Sequence, residues 1–409
     1  MNRAFALAAA AFSIGLSVGA AAQDDQRGFL RTDGNQIVDQ TGSPIRISGV
    51  VWMGMESRDL APIGLYAQRW EELLYRIRTS GFNTIRLAFS VEGLATEMVP
   101  SNINFSLNPD LEGKSAIEIM DMVVAKAGER GLRIILDCHR VSIGDGTEES
   151  GLWYSKKIPE EEWIETWAML AERYKGNPTV IGADLFNEPH DPATWDGDGQ
   201  RSWARAVEAA GNAILAVNPD WLIFVAGVSG WKGLPGLSNH TDTWWGQNLQ
   251  GVRTRPIKLD IDNRVVYTPH AYPPFMLGNY PKEVFDARDF PDNMPAIWTA
   301  MFGYIHTENI APLWIGEFAA NETGFADNEK CQLDDPREPK WLDKFLAYID
   351  GDFDGDGTRD TEDGKVALHW TWFDWGFADC GWFLFKDVGF SRLDRDKIKL
   401  LKPLMADRF

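Results

Sequence analysis

Two short stretches of this 409-residue chain deliver a carboxylate directly out of an apolar run. In LFNEPH, Leu185 to His190, a buried-strand pattern runs straight into Asn187, Glu188 and Pro189, and in WIGEF, Trp314 to Phe318, a second apolar run delivers Glu317. The proline stops the first run. Taken singly, each acid has a plainer reading as a cap on the following helix. Together they are what hydrolysis of an acetal needs, one carboxylic acid to protonate the leaving oxygen and one carboxylate to attack or to direct water. Other polar or aromatic residues stand at comparable ends of β-rich runs: Arg86, His139, His270, Tyr272 and Trp372. For these the plainer readings are a structural ion pair, satisfied core histidines, a core tyrosine and simple packing. His190, His240, His306 and His369 have no such placement and read as structural.

The elements that must position these groups alternate along the chain. Eight short β-rich runs are expected at Ile45 to Val51, Thr84 to Phe89, Arg133 to Cys138, Val180 to Phe186, Leu222 to Val225, Arg264 to Thr268, Pro312 to Gly316 and Val366 to Thr371. Amphipathic segments lie between them, at Arg69 to Thr79, Ala116 to Arg130, Glu160 to Tyr174, Arg201 to Ala216, Met294 to Glu308 and Trp341 to Ile349. No helix is evident after the fifth run, where Gly230 to Asp262 reads as a long irregular loop. The pattern predicts an α/β fold, a (β/α)₈ TIM barrel, whose reacting groups stand at the carboxyl ends of the strands. The DG and TG turns in LRTDGNQIVDQTGSP predict a short N-terminal hairpin covering the barrel's lower end. With no linker or repeat, residues 23–409 read as one catalytic domain with an acidic loop at 350–364.

Forty Lys plus Arg against 60 Asp plus Glu leave a formal net charge of −20, which disfavours nucleic acid and anionic membrane partners. The first 22 residues combine a basic start at Arg3, an apolar run and small residues Ala20 and Ala22, the pattern of a secretory signal peptide, so a secreted monomer is expected. No later run is long and apolar enough to cross a membrane. In an oxidising compartment one pair of the three cysteines can bridge. Cys138 lies in the apolar run LRIILDCH, which leaves Cys331 and Cys380 as the expected pair. Eighteen tryptophans exceed ordinary use and suggest accessible stacking surfaces, with Trp52, Trp244, Trp245 and Trp372 as candidates for the flat faces of sugar rings.

At NTIRLAFS, GLRIILDCHR, RYKGNPTVIGADLFNEPHDP, WWGQNLQG, NMPAIW and IAPLWIGEF the sequence resembles glycoside hydrolase family 5, the cellulase family, over nearly the whole of residues 23–409, and most closely its bacterial endo-β-1,4-glucanases. The resemblance implies cleavage of a β-glucan with retention of configuration and no cofactor for catalysis, Glu188 as acid/base and Glu317 as nucleophile, their carboxyls roughly 5 to 5.5 Å apart. It further implies that Arg86 and Tyr272 keep Glu317 ionised, that the negative charge of Glu317 raises the pKa of Glu188, and that Asn187 binds the sugar 2-hydroxyl. His139 and His270 would contact hydroxyls of the ring being cleaved, and Trp372 would be the platform under it. Val51 before Trp52, and Phe373 and Asp374 after Trp372, depart from the family's usual residues at sugar-binding edges. A mannanase, xylanase or mixed-linkage glucanase on the same barrel is the alternative. A non-catalytic carbohydrate-binding barrel would require loss of Glu188 or Glu317, and a metal-dependent hydrolase would require a close histidine pair that no early strand carries.

One further motif stands apart from this chemistry. Asp352, Asp354, Asp356, Gly357, Asp360 and Asp363 occupy positions 1, 3, 5, 6, 9 and 12 of an EF-hand-type loop, with the Thr358 carbonyl at position 7. The plainer reading is a solvated acidic turn. Crowded carboxylates repel one another unless a cation lies among them, so a structural Ca²⁺ is expected there, bracing the entry to the last strand.

Overall fold

Strands enclosed between a core and a ring of helices must be apolar on both faces, and the central strands here are buried at every residue. The computed structural model describes residues 28–406 apart from 198, 235–236, 278–279, 322–334 and 378–381. The expected signal peptide and the Cys331 to Cys380 bridge lie outside the described residues, and Cys138 is a buried free thiol. An antiparallel hairpin of β1 (Arg31–Asp33) and β2 (Gln36–Val38) precedes nine parallel strands. These are β3 (Ser48–Met55), β4 (Thr84–Ser90), β5 (Arg133–Arg140), β6 (Val180–Asp184), β7 (Leu222–Ala226), β8 (Val265–Thr268), β9 (His270–Ala271), β10 (Trp314–Phe318) and β11 (His369–Trp372). The sheet order β8-β7-β6-β5-β4-β3-β11-β10-β9 closes on itself, because β8 and β9 are two halves of one barrel strand separated at Pro269. The Tyr267 to Leu313 bridge completes the closure. The fold is the (β/α)₈ barrel.

Helices Trp70–Thr79, Ala116–Glu129, Glu160–Arg173 and Trp203–Val217 fall where the 3.6-residue pattern predicts them. The helix at Ala116 begins with a capping box, the Ser115 N–H donating to the Glu118 carboxylate at 2.9 Å. The last predicted helix runs longer than its apolar stripe, over Arg337–Asp350, and stops at Gly351 in the left-handed conformation. Between β7 and β8 the described residues hold only a 3₁₀ turn, Gln250–Arg253, in agreement with the irregular loop read there. β3, β10 and β11 start two or three residues later than the apolar runs suggest, since those runs begin in the chain that leads into the barrel floor.

The interior is layered. Leu30 and Ile37 of the hairpin segment pack with Ile135, Ile181, Leu222, Phe224, Val266 and Trp314 as an apolar floor, so the hairpin plugs the lower end as expected. Arg86 lies above Trp314, its guanidinium 6.0 Å from the ring centre, and begins the polar layer. Most tryptophans are structural: of the 18, Trp245 is exposed and Trp382 half-buried, and the rest are buried. The expectation of many accessible stacking surfaces is corrected on this point. Two of the buried indoles carry a task for the site, since Trp163 and Trp167 both donate to the Leu185 carbonyl, at 3.0 and 3.1 Å, and fix the chain just before Asn187 and Glu188.

Candidate active site

Alternation along β4 turns Ile85, Leu87 and Phe89 toward the helices and Arg86 into the barrel. There the fully buried guanidinium meets four acceptors: Asp184 at 2.8 Å, Asp137 at 3.0 Å, Asn187 at 2.9 Å and Glu317 at 2.5 Å. Burial opposes its charge, but Asp137, Asp184 and Glu317 outweigh burial and hold it protonated. The two supporting aspartates pay for their place with pKa values pushed up to about 6, by burial first and against the pull of Arg86. Sequence reasoning missed both, although a lone acid at an inward position of a buried strand signals an internal partner.

Glu317, at an inward position of β10, accepts from Arg86 on one oxygen and from the Tyr272 hydroxyl, at 2.6 Å, on the other. Two donors on two oxygens are what a carboxylate takes. Burial, then the charge of Glu317, push the Tyr272 hydroxyl far above its ordinary pKa, so it stays a donor. Glu188 follows β6 in a left-handed conformation, φ 50°, uncommon for a residue with a side chain. One carboxylate oxygen takes a hydrogen bond from Thr147 at 2.7 Å, and the other lies 2.9 Å from His270 Nδ1. The same ring nitrogen is 3.5 Å from Glu317. One oxygen of each glutamate and a nitrogen of His270 all lie within 4.8 Å of one another.

Burial lowers the pKa of His270 to about 4, so the ring is neutral at ordinary pH. His139 is likewise lowered to about 4 by burial. Its Nδ1 is 2.7 Å from Asp137 and its Nε2 is 3.3 Å from the Asn187 amide nitrogen, so the neutral ring donates to the aspartate and accepts from the amide. The Glu188 carboxyl is raised, chiefly by burial, with the Thr147 hydrogen bond and then His139, His190 and Arg86 pulling the other way. The expectation that the charge of Glu317 is what raises it is therefore corrected: desolvation in the barrel mouth leads. Room for this carboxyl depends on Gly246, where a Cβ would come within 3.2 Å of Glu188 Cγ.

The structure thus brings together Arg86, His139, Asn187, Glu188, His270, Tyr272 and Glu317. It does not bring three of the four aromatic candidates to the mouth. Trp372 is fully buried, edge-on to Phe318, with its indole N–H on the Trp382 carbonyl. Trp52 is fully buried and donates to the Ile63 carbonyl. Trp244 is 3% exposed and packs on Trp231 and Phe285. For Trp52 and Trp372 the cause is strand parity: both face outward toward the helices, while their neighbours Val51, Met53 and Thr371 face in. One residue beyond Trp372, Phe373 packs against Val51, Met53 and Ala88 and presents its ring edge-on to Tyr272, centres 6.4 Å apart. Trp245 is 37% exposed and stacks on His190, centres 3.7 Å apart and planes 5° from parallel. His190, read as structural, is thus the backing of an accessible indole, and its Nδ1 binds the Glu188 backbone carbonyl at 2.8 Å.

A family model for cellulases of glycosyl hydrolase family 5 matches residues 38–379. The chain belongs to glycoside hydrolase family 5. An endoglucanase of Paenibacillus polymyxa is 43% identical over 324 residues, 79% of this chain and 77% of that one. The major extracellular endoglucanase of Xanthomonas campestris pv. campestris is 32% identical over 370 residues, 90% of this chain and 69% of that one. Among solved structures, a complex of an endocellulase from Pyrococcus horikoshii with cellotetraose superposes with a TM-score of 0.78 at 32% identity, covering 93% of this chain and 99% of that one. This family 5 protein is an enzyme, a glycoside hydrolase that needs no cofactor for catalysis. No helix among its described residues is long and apolar enough to cross a membrane.

Away from the barrel mouth, the family 5 chain draws together part of its acidic loop. Single carboxylate oxygens of Asp352, Asp354 and Asp356 lie within 4.8 Å of one another. Asp352 is 8% exposed; one of its oxygens accepts from Gly357 N–H at 3.1 Å and the other is buried without a hydrogen-bond partner. Gly357, φ 91°, makes the turn the loop requires. Asp360 and Asp363 are exposed and stand outside the group, Asp360 being used as an acceptor for the Phe353 N–H at 2.7 Å. Thr358 turns its N–H and hydroxyl back onto Asp356. Of the expected ligands, the carboxylates of Asp352, Asp354 and Asp356 are the ones grouped together.

Proposed function

We propose that this glycoside hydrolase is an endo-β-1,4-glucanase that acts by double displacement with retention, Glu317 being the nucleophile and Glu188 the acid/base. The observation that carries this reading is the approach of the two carboxyls, with an oxygen of each and a ring nitrogen of His270 all within 4.8 Å of one another. An inverting enzyme keeps its carboxyls about 6.5 to 9.5 Å apart to admit a water between them and the sugar. In the first step Glu317 attacks the anomeric carbon while Glu188 gives its proton to the departing glycosidic oxygen. In the second, Glu188 takes a proton from water, the water oxygen bonds to the anomeric carbon, and Glu317 leaves as a carboxylate. Asn187 holds its amide nitrogen by two long contacts, 3.3 Å each to His139 and Thr147, and a sugar 2-hydroxyl can take the place of the one to His139.

Aromatic surfaces on both flanks support cleavage inside a chain. Phe373 stands beside Tyr272 on the Glu317 side, and Trp245 rests on His190 on the Glu188 side. The endoglucanase names of the relatives agree. Viscosity of a soluble cellulose derivative should fall well before reducing ends accumulate; release of monosaccharide alone from chain ends would contradict the endo reading. Rates compared on cellulose derivatives, lichenan, xylan and mannan separate a β-1,4-glucanase from the alternatives on the same barrel. The site is complete within one chain, which supports a monomer, and the signal-like residues 1–22 support secretion.

The same reading places a structural Ca²⁺ in the acidic loop. Asp352, Asp354 and Asp356 would hold it, and the unpartnered buried oxygen of Asp352 fits a hard cation. Its effect would be on stability, since the loop joins helix Arg337–Asp350 to β11. Chelator should lower the melting temperature by several degrees and calcium should restore it. An unchanged melting curve in chelator, with no calcium by elemental analysis, would remove the ion from the account.

A further inference from the structure

Glu188 must be an acid in the first step and a base in the second, and one of the two groups bonded to its carboxylate comes from a loop outside the strands. We propose that Thr147 is a positioning residue for the acid/base, its hydroxyl steered by Asn187 to donate to the Glu188 carboxylate and so to hold that group in place for the second step. This rests on the double-displacement reading above. The hydroxyl oxygen lies 2.7 Å from Glu188 Oε2 and 3.3 Å from the Asn187 amide nitrogen. That nitrogen can only donate, so it occupies a lone pair of the hydroxyl and leaves the hydroxyl proton for the carboxylate.

A loop hydroxyl can do this because its backbone is pinned. Arg140, the last residue of β5, donates to the carbonyls of Ser142, Asp145, Gly146 and Thr147 and to the Glu149 carboxylate. Gly144 lets that guanidinium lie against the chain, since a Cβ there would meet its central carbon at 2.7 Å. The loop's far end is tied to the acid's own segment, the His190 N–H donating to the Gly151 carbonyl at 3.3 Å. Burial drives the Glu188 carboxyl toward its protonated form, and the Thr147 bond is the largest influence opposing it, ahead of His139, His190 and Arg86. The other titratable groups that face Glu188 are His270 of β9, Glu317 of β10, Asp137 of β5 and Tyr272, and a change at Thr147 leaves all of these in place.

The test is the pH dependence of kcat/KM and kcat for Thr147→Val, which keeps the shape and loses the hydroxyl, with Thr147→Ser as the conservative control and Thr147→Ala as a second deletion. Without its donor the carboxylate is less favoured, so the alkaline limb of kcat/KM should move up by about one pH unit, a tenfold change in ionisation. With an activated aryl cellobioside, for which the second step limits, kcat below neutral pH should fall about tenfold, and Thr147→Ser should restore both. An alkaline limb unmoved in both Thr147→Val and Thr147→Ala, or equal losses in Thr147→Ser and Thr147→Val, would overturn the proposal. Failure of the parent reading is distinct: Glu188→Ala would then keep the alkaline limb, whereas if only the Thr147 proposal fails, Glu188→Ala abolishes it.

Discussion

Glu317→Ala should lose turnover by on the order of 10⁴-fold or more while keeping its fold and its affinity for cello-oligosaccharides. The nucleophile disappears, but the buried guanidinium beneath it retains Asp137 and Asp184, so no uncompensated charge is left in the barrel. The cavity vacated by the carboxylate faces the anomeric carbon. Azide should therefore restore part of the rate on an activated aryl glycoside and yield the glycosyl azide of inverted, α configuration. Circular dichroism and binding titrations separate this loss from unfolding. A variant that turns over at the wild-type rate would remove Glu317 from the mechanism.

Glu188→Ala should show a loss that depends on the leaving group. Cello-oligosaccharides depart as poor leaving groups that need a proton, and the cost there should be about 10² to 10⁴-fold. Aryl glycosides with acidic phenols leave unaided, so their first step should be nearly spared. Because the Glu188 carboxyl is raised by burial, the wild-type enzyme should keep a protonated acid above the ordinary carboxylate range and lose kcat/KM as pH rises through that raised value. In the alanine variant that limb should vanish. Equal losses on both classes of substrate would argue against Glu188 as the acid.

The architecture was legible because short β-rich apolar runs alternate with period-3.6 segments, and the two acids were legible because each interrupts an apolar run at a strand end. What failed was finer than periodicity resolves. The sequence reads Trp52 as a residue of the loop after the first strand, but the strand runs on to Met55 and turns that ring outward. The resemblance makes Trp372 the platform, yet a single step in parity separates outward Trp372 from Phe373, which packs on the barrel's inner face. The abundance of tryptophan signalled sugar stacking, whereas packing absorbs nearly all of it; Trp163 and Trp167 reach the site only through hydrogen bonds to Leu185. Thr147 lies 41 positions before Glu188 in a loop of small and acidic residues, and only the fold of that loop around Arg140 brings its hydroxyl to the carboxylate. Asp360 and Asp363 matched a calcium-loop spacing, but the chain after Gly357 turns Asp360 back onto the Phe353 amide.

The central claim is that Glu188 and Glu317 work as a retaining pair. Its most direct test is the anomeric configuration of the newly formed reducing end, followed by proton NMR during the first minutes of cello-oligosaccharide hydrolysis, before mutarotation. The β anomer should appear first and the α anomer only as equilibration proceeds. Initial accumulation of the α anomer would contradict the account, because it would mean direct attack by water and no glycosyl ester on Glu317.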